Sequence, residues 1–207
     1  MCRFSTPTAC GRRSSRTRPS RARGPEHYQE EAQVSSGFSR GKDGGVVAEF
    51  EAAEVSLLRS LVSMMLGIVA PGQTSDDPLE RALGIGDSAA PSDPVLARLF
   101  PSAYEDEKDA AEFRRYTEAT LRDGKRADAQ TVHDTARPGR AELSAEEAQA
   151  WLRSLNDLRL TLGTKLDVTE EVHDEIAVMS EDDPRYPAYV TYDWLTYLQD
   201  SLVRALW

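Results

Sequence analysis

The stretch SAEEAQAWLRSLNDLRLTLGTKL, residues 144–166, carries the clearest helical signal in this chain. Ser144 and Glu147 have the spacing of a capping box, in which each side chain accepts a hydrogen bond from the backbone amide of the other residue. Apolar side chains then recur at helical spacing and share one face: Trp151, Leu152, Leu155, Leu158, Leu162 and Leu166. This pattern predicts a helix from Ala145 to about Leu166 that buries one face, followed by an acidic turn.

One charge interrupts the apolar face of this helix. Arg159 falls between Leu152 and Leu155 on a helical wheel, whereas Asn156 and Asp157 project to the side and the back. A buried guanidinium needs partners, because an unpaired buried charge is costly. Three interpretations of Arg159 are open: its head reaches water, it forms a structural buried ion pair with a neighbouring helix, or it binds a ligand.

The N-terminal half predicts one short strand and several helices. Val46–Phe50 is typical of a strand that leads into a helix, and apolar residues with 3.6-residue spacing predict a central helix over 52–69. Asp77-Pro78 and Asp93-Pro94 each combine an N-cap acceptor with a proline at the first helical position. They predict two short helices near 78–84 and 94–99.

Two more helices follow from the C-terminal half. Residues 106–136 predict one long helix, and 188–206 predict a final helix with a wide apolar arc. The expected inner face of the long helix is modestly apolar: Phe113, Tyr116, Leu121, Ala127 and Thr131. The aromatic residues of this half are candidates for the core, or for a dimer or partner interface in which tyrosine and tryptophan are favoured anchors: Trp151, Tyr189, Tyr192, Trp194 and Tyr197.

The long helix also carries the main group of basic residues in an acidic body. We call this group the basic stripe, and it is predicted to lie on the outer face of the helix: Lys108, Arg115, Arg122, Lys125 and Arg126. It is read either as a solvated face paired with nearby acids such as Glu118 or as a candidate surface for an acidic partner, and less readily for DNA.

Charge divides the chain into two parts. Residues 1–25 hold seven arginines and no carboxylate, and the remaining residues hold 18 of the 25 basic and all 35 acidic side chains. A body this acidic is repelled by phosphate backbones, which disfavours direct nucleic-acid binding. The longest apolar run is short and contains Arg59, so no membrane-spanning segment is expected.

Residues 1–43 predict a disordered basic tail, because they are rich in Gly, Ser and Arg and lack periodicity. Their composition resembles a transit peptide or a nucleic-acid-binding arm. A start codon assigned too far upstream is the other interpretation, with Val34 as a candidate start. Residues 44–207 then form one domain, an all-α bundle of about five to six helices with one short N-terminal strand.

The sequence does not predict an enzyme, a cofactor or a metal site. Glycine loops that bind phosphate, nucleophile motifs and His-based metal motifs do not occur. His133 and His173 are isolated, and His27 lies in the tail. The acidic clusters lack the spacing and the central glycine of a Ca²⁺ loop.

Four blocks of the chain resemble an actinobacterial family of uncharacterised helical domains encoded beside the ClpS adaptor. The most characteristic block is Leu155–Leu166, and a C-terminal block is Tyr192–Leu202. Phe50–Leu61 resembles the opening of the family domain, and Asp93–Pro101 resembles its middle. None of these blocks is a chemical motif.

The resemblance implies a cytoplasmic regulatory module that acts through protein contacts. The family includes an oxidative stress regulator that works with a stress sigma factor in transcription, so the implied partner is a sigma factor. An adaptor or accessory factor for Clp-dependent proteolysis is the alternative, as is a purely structural interaction domain, and a homo-oligomer is compatible with each. Redox sensing in the family relies on a cysteine pair, whereas the two cysteines of this chain, Cys2 and Cys10, lie in the tail and outside the resemblance.

Overall fold

A computed structural model describes residues 37–70, 78–79, 86, 89–170 and 172–207, without the side chains of residues 173, 175 and 177. Its elements follow in this order: β1 (Phe38–Arg40), β2 (Val46–Phe50), α1 (Ala52–Ile68), α2 (Pro94–Leu99), α3 (Glu107–Thr135), β3 (Gly139–Leu143), α4 (Ala145–Leu166), α5 (Val172–Val178) and α6 (Tyr186–Leu206).

The expected all-α fold is wrong in one respect, because the helices are joined by a small antiparallel sheet with strand order β1-β2-β3. Phe38 lies opposite Ala48, and Val47 lies opposite Glu142. The sequence pattern predicts only β2. Residues 37–43 were assigned to the tail but include β1 and most of the turn after it, and residues 1–36 of the predicted tail lie outside the described residues.

Strand β3 was missed because its pattern is short. Ala141 and Leu143 are buried, while Arg140 and Glu142 between them face outward. Strict alternation over so few residues is a weak signal beside the preceding Pro138-Gly139, which reads as a break. The turn between β1 and β2 also depends on β3, because a Cβ on Gly45 would lie 2.4 Å from the carbonyl oxygen of Leu143.

Helix α4 forms the centre of the fold and confirms the predicted bounds. Its capping box is present: the Ser144 amide donates to Glu147 Oε2 at 2.7 Å, and the Glu147 amide donates to Ser144 Oγ at 3.2 Å. Trp151 is fully buried and lies 5.6 Å from the ring of Phe50 and 5.5 Å from that of Phe38. The apolar face of α4 therefore packs against the sheet as well as against other helices.

Most of the other helix predictions are confirmed. Helix α1 covers nearly the predicted range, and α2 begins after Asp93, whose side chain accepts a hydrogen bond from the Leu96 amide at 2.9 Å. The short helix predicted near 78–84 lies mostly outside the described residues, although Pro78 and Leu79 are helical. Helix α6 starts two residues earlier than predicted, with Pro187 in its first turn. Helix α5 was not predicted.

Helix α3 runs without a break, but its predicted inner face is wrong. Phe113, Tyr116 and Leu121 are 43%, 57% and 50% exposed, and Ala127 is exposed as well. The buried positions of α3 are instead Ala110, Arg114, Ala129 and Val132. The reason is that small alanines and the apolar stem of an arginine fill the interface with neighbouring helices, which leaves the larger aromatic rings on the opposite side.

Candidate functional site

Helix α3 turns part of its basic stripe toward the interior. Arg126 Nη1 donates to the carbonyl oxygens of Leu66 at 2.8 Å and Val69 at 2.6 Å, at the C-terminal end of α1. Carbonyls at the C-terminal end of a helix lack intrahelical partners, and a cation there also interacts favourably with the helix dipole. Arg122 Nη1 donates to the Ala70 carbonyl at 3.3 Å and thereby extends the same contact.

Glu118 neutralises two arginines of α3. Its Oε2 lies 2.7 Å from Arg114 Nη1, and its Oε1 lies 2.7 Å from Arg122 Nη2. Arg114 is 7% exposed and also donates to the Phe100 carbonyl at 3.3 Å. The guanidinium of Arg122 lies 4.6 Å from the centre of the Phe100 ring. These arginines fix α3 to its neighbours.

Within the basic stripe, the outer-face assignment is therefore wrong for Arg122, Lys125 and Arg126, which are half-buried and bonded to internal groups. Lys108 is exposed, and Arg115 is half-buried. The structure does not gather the five residues into one outward cationic surface.

A buried ion pair joins α3 to α4. Asp157 is only 2% exposed, and its Oδ1 lies 2.7 Å from Lys125 Nζ. Burial raises the pKa of the Asp157 carboxyl above its usual range, and the nearby Lys125 ammonium partly opposes that shift. The sequence analysis placed Asp157 at the side and back of α4, so the buried charge of this helix is not the one predicted.

A signal for the burial of Asp157 was present in the sequence. Ala150, Ser154, Asp157 and Thr161 recur at helical spacing, and all four are buried. Three of them are small residues that allow a second helix to approach closely. Helix α4 therefore has two buried faces, one apolar and one formed by this small and polar row.

A groove of about 800 Å³ opens above the ion pair, between α3, α4 and α6. Arg153 and Asp128 form its rim, where Nε donates to Oδ2 and Nη2 donates to Oδ1, each at 2.7 Å. This hydrogen bonding raises the pKa of Arg153. Exposed apolar side chains also line the groove: Leu121, Val203 and Trp207.

Four large side chains are exposed on α3 and in the segment before it, and we call them the aromatic face: Tyr104, Phe113, Tyr116 and Leu121. The rings of Tyr104 and Phe113 pack edge to face, 5.7 Å apart. Phe113 and Leu121 line a smaller cavity of about 330 Å³, and Leu121 also lines the larger groove. The aromatic face is thus continuous with that groove.

Arg159, the candidate for a buried ion pair, is half-buried and bonded to neutral groups of α6. Its Nε donates to Thr196 Oγ1 at 3.0 Å, its Nη1 donates to Gln199 Oε1 at 2.6 Å, and its Nη2 lies 3.5 Å from the Tyr192 hydroxyl. Its guanidinium lies 5.5 Å from the centre of the Tyr192 ring. Arg159 forms no salt bridge with a described residue, so the predicted ion pair is not found among the residues that the structure describes.

The candidate aromatic residues fall into three groups by burial. Trp151 and Tyr189 are buried core residues, and Tyr192 and Trp194 are half-buried. Tyr197 is 38% exposed. Two strongly exposed aromatic residues of α3, Phe113 and Tyr116, were not among these candidates, because the predicted inner face of that helix includes them.

The described part of the chain offers neither a metal-binding cluster nor a membrane-spanning helix. Its residues include no group of three or more His, Cys, Asp or Glu side chains that could hold a metal ion. None of its helices has the length and apolar character needed to cross a membrane.

Comparison with known proteins confirms the resemblance seen in the sequence. DUF2017, a domain of unknown function, matches residues 35–206. The chain is similar to AosR of Mycobacterium leprae, with 34% identity over 220 residues that cover 97% of this chain and 98% of the relative. It is also similar to the oxidative stress regulator AosR of Mycobacterium tuberculosis H37Rv, with 33% identity over 224 residues and the same two coverages. No solved structure matches. The chain therefore belongs to the DUF2017 family.

Proposed function

We propose that this protein is a cytoplasmic regulator of the oxidative stress response that acts by binding another protein, without catalysis. The names of its relatives support a regulatory role. The observation that supports action through protein contact is the aromatic face. Large apolar side chains that cluster on a surface are typical of protein interfaces, where tyrosine and other aromatic residues carry much of the binding energy.

The orientation of α3 favours a protein partner over nucleic acid. Arg122, Lys125 and Arg126 could neutralise phosphates only if they left Glu118, Asp157 and the carbonyls of α1. The exposed part of α3 carries Phe113, Tyr116 and Leu121 together with acidic side chains, which repel phosphate. The partner implied by the family resemblance is a stress sigma factor, and we propose that regulation of transcription proceeds through that contact.

This contact does not require a thiol of the folded part. The two cysteines of the chain are Cys2 and Cys10, so residues 37–207 contain none. The proposed interaction therefore rests on shape and apolar contact, and thiol chemistry of this chain is confined to those two positions.

The test measures binding of the purified full chain to a purified stress sigma factor from the same organism by isothermal titration calorimetry. The double variant Phe113→Ser/Tyr116→Ser is expected to weaken binding by about a hundredfold, because two anchor side chains are lost. Val190→Ser is the matched control, since Val190 is 42% exposed on α6 and does not belong to the aromatic face. Melting temperatures of all variants should remain close to that of the wild type.

Two outcomes contradict the proposal. If the sigma factor binds equally well to the wild type and to the double variant, the aromatic face is not the contact. If the sigma factor does not bind and a purified ClpS adaptor binds instead, the adaptor role replaces the sigma-factor role.

A further inference from the structure

A second cavity, of about 300 Å³, lies on a different part of the surface from the aromatic face. It is formed where α2, the C-terminal half of α4 and α6 meet. Two arginines line it, Arg98 from α2 and Arg159 from α4, together with Gly163 and the ring of Tyr192. We call it the arginine pocket.

The backbone of α4 is adapted to this pocket at Gly163. A Cβ at that position would lie 3.1 Å from Tyr192 Cε2, which is closer than most side-chain contacts. The absence of a side chain therefore lets the Tyr192 ring approach α4. That ring in turn supports the guanidinium of Arg159.

Arg159 is held in place by neutral groups, and no carboxylate of a described residue pairs with it. Thr196, Gln199 and Tyr192 accept three of its hydrogen bonds through neutral oxygen atoms. A guanidinium has five N–H donors, so two remain available. Because the guanidinium is already ordered, its side chain loses little conformational entropy when a ligand binds.

Arg98 supplies a second cation to the same pocket. It is exposed and forms no hydrogen bond or salt bridge with a described residue, while Val95 and Leu99 on the same short helix are buried and fix its backbone. Asp167 also lines the pocket but makes no salt bridge to either arginine among the described residues. One cavity is thus lined by two arginines that have no carboxylate partner among the described residues, in a chain with a net charge of −10.

We propose that the arginine pocket binds a small anion, whose carboxylate or phosphate group lies between Arg98 and Arg159. Arginine matches the planar, paired oxygens of such groups and forms strong charge-assisted hydrogen bonds with them. The cavity has the size of the smallest ligand sites, which start at about 300 Å³, and so suits a small molecule.

The test is isothermal titration calorimetry on the full chain with inorganic phosphate in one arm and citrate in the other. Ionic strength is kept constant with chloride. Arg98→Gln is expected to weaken binding by about tenfold or more, because it removes a charge-assisted hydrogen bond. Arg98 is exposed, so this variant should fold normally. Lys108→Gln is the matched control, because it removes the same charge from an exposed site that does not line the pocket.

Tighter binding of phosphate than citrate, lost in Arg98→Gln and retained in Lys108→Gln, supports a phosphate-bearing ligand. The reverse order of affinity, with the same effects of the two variants, supports a carboxylate ligand. The proposal is overturned if neither anion binds above the chloride background. It is also overturned if Lys108→Gln weakens binding as much as Arg98→Gln does, because the effect is then one of net charge.

Discussion

Helices α3 and α4 lie side by side and bury different kinds of residue. Helix α4 buries Trp151, Leu155 and Leu158, as its apolar periodicity indicates. Helix α3 buries Arg114 and small alanines, and it exposes Phe113 and Tyr116. The largest side chains of α4 therefore stabilise the fold, whereas those of α3 are free for contact with another molecule.

The difference between α3 and α4 shows when apolar periodicity identifies the buried face of a helix. In α4 the large apolar residues are numerous and recur without a gap, so the pattern identifies one buried face. In α3 they are few, and small residues next to long arginine stems form an equally good packing surface. The contrast between the two helices gives four predictions about folding, from the largest effect to the smallest.

Removing the central side chain of α4 should have the largest effect. Trp151→Ala is expected to lower the free energy of unfolding by about 3–5 kcal/mol, since a fully buried ring leaves a cavity. Tyr116→Ala on α3 should change it by less than about 0.5 kcal/mol, as expected for an exposed residue. Urea denaturation measures both values. Similar losses in the two variants would contradict the comparison between the helices.

The ion pair that joins the two helices should come next. Lys125→Ala leaves Asp157 buried without its partner and is expected to cost about 2–3 kcal/mol at neutral pH. Arg153→Ala breaks an ion pair with Asp128 in which Arg153 is largely exposed, and it should cost about 1 kcal/mol or less. Equal losses in the same denaturation assay would mean that burial of Asp157 has no energetic consequence.

The burial of Asp157 should also make the stability of the protein depend on pH. Burial raises the pKa of Asp157 in the folded state, so its favourable contribution is present below the unfolded pKa and is lost as pH rises through the folded pKa. The wild type should therefore gain stability relative to Asp157→Asn as pH falls from the folded pKa of Asp157 to its unfolded pKa. Denaturation curves of both proteins across the acidic range measure this difference, and parallel pH profiles would contradict it.

The smallest predicted effect is a gain in the free energy of unfolding. Ser154 lies on the buried small-residue row of α4, and its hydroxyl oxygen has no hydrogen-bond partner within the described part of the chain. Ser154→Ala removes a buried polar atom and is expected to raise the free energy of unfolding by up to about 1 kcal/mol. Ser56→Ala makes the same change at an exposed position of α1 and serves as the reference. A clear loss of stability in Ser154→Ala would show that this hydroxyl is satisfied in solution.

Much of the fold could be predicted because its signals are local. The capping box at Ser144 and the Asp93 cap fixed the starts of α4 and α2, and each side chain bonds the expected amide. Strands β1 and β3 could not be predicted with the same rules. Each is short, and each forms because β2 lies between them, which is a tertiary effect.

The candidate site was harder to predict than the fold, because it depends on which way α3 faces. Helical wheels place residues around an axis, but they do not say which arc a neighbouring helix will cover. Asp157 and Arg126 were assigned to outer surfaces for this reason. Only the positions of Lys125 and the C-terminal carbonyls of α1 in three dimensions show why both are internal.

Hydroxyl-radical footprinting read by mass spectrometry measures whether α3 presents its aromatic residues to solvent. We expect rapid oxidation of Tyr116 and Phe113 in the folded protein, together with strong protection of Trp151. A folded, monomeric protein in which Tyr116 and Phe113 are as protected as Trp151 would contradict the orientation of α3 and the function proposed for its aromatic face.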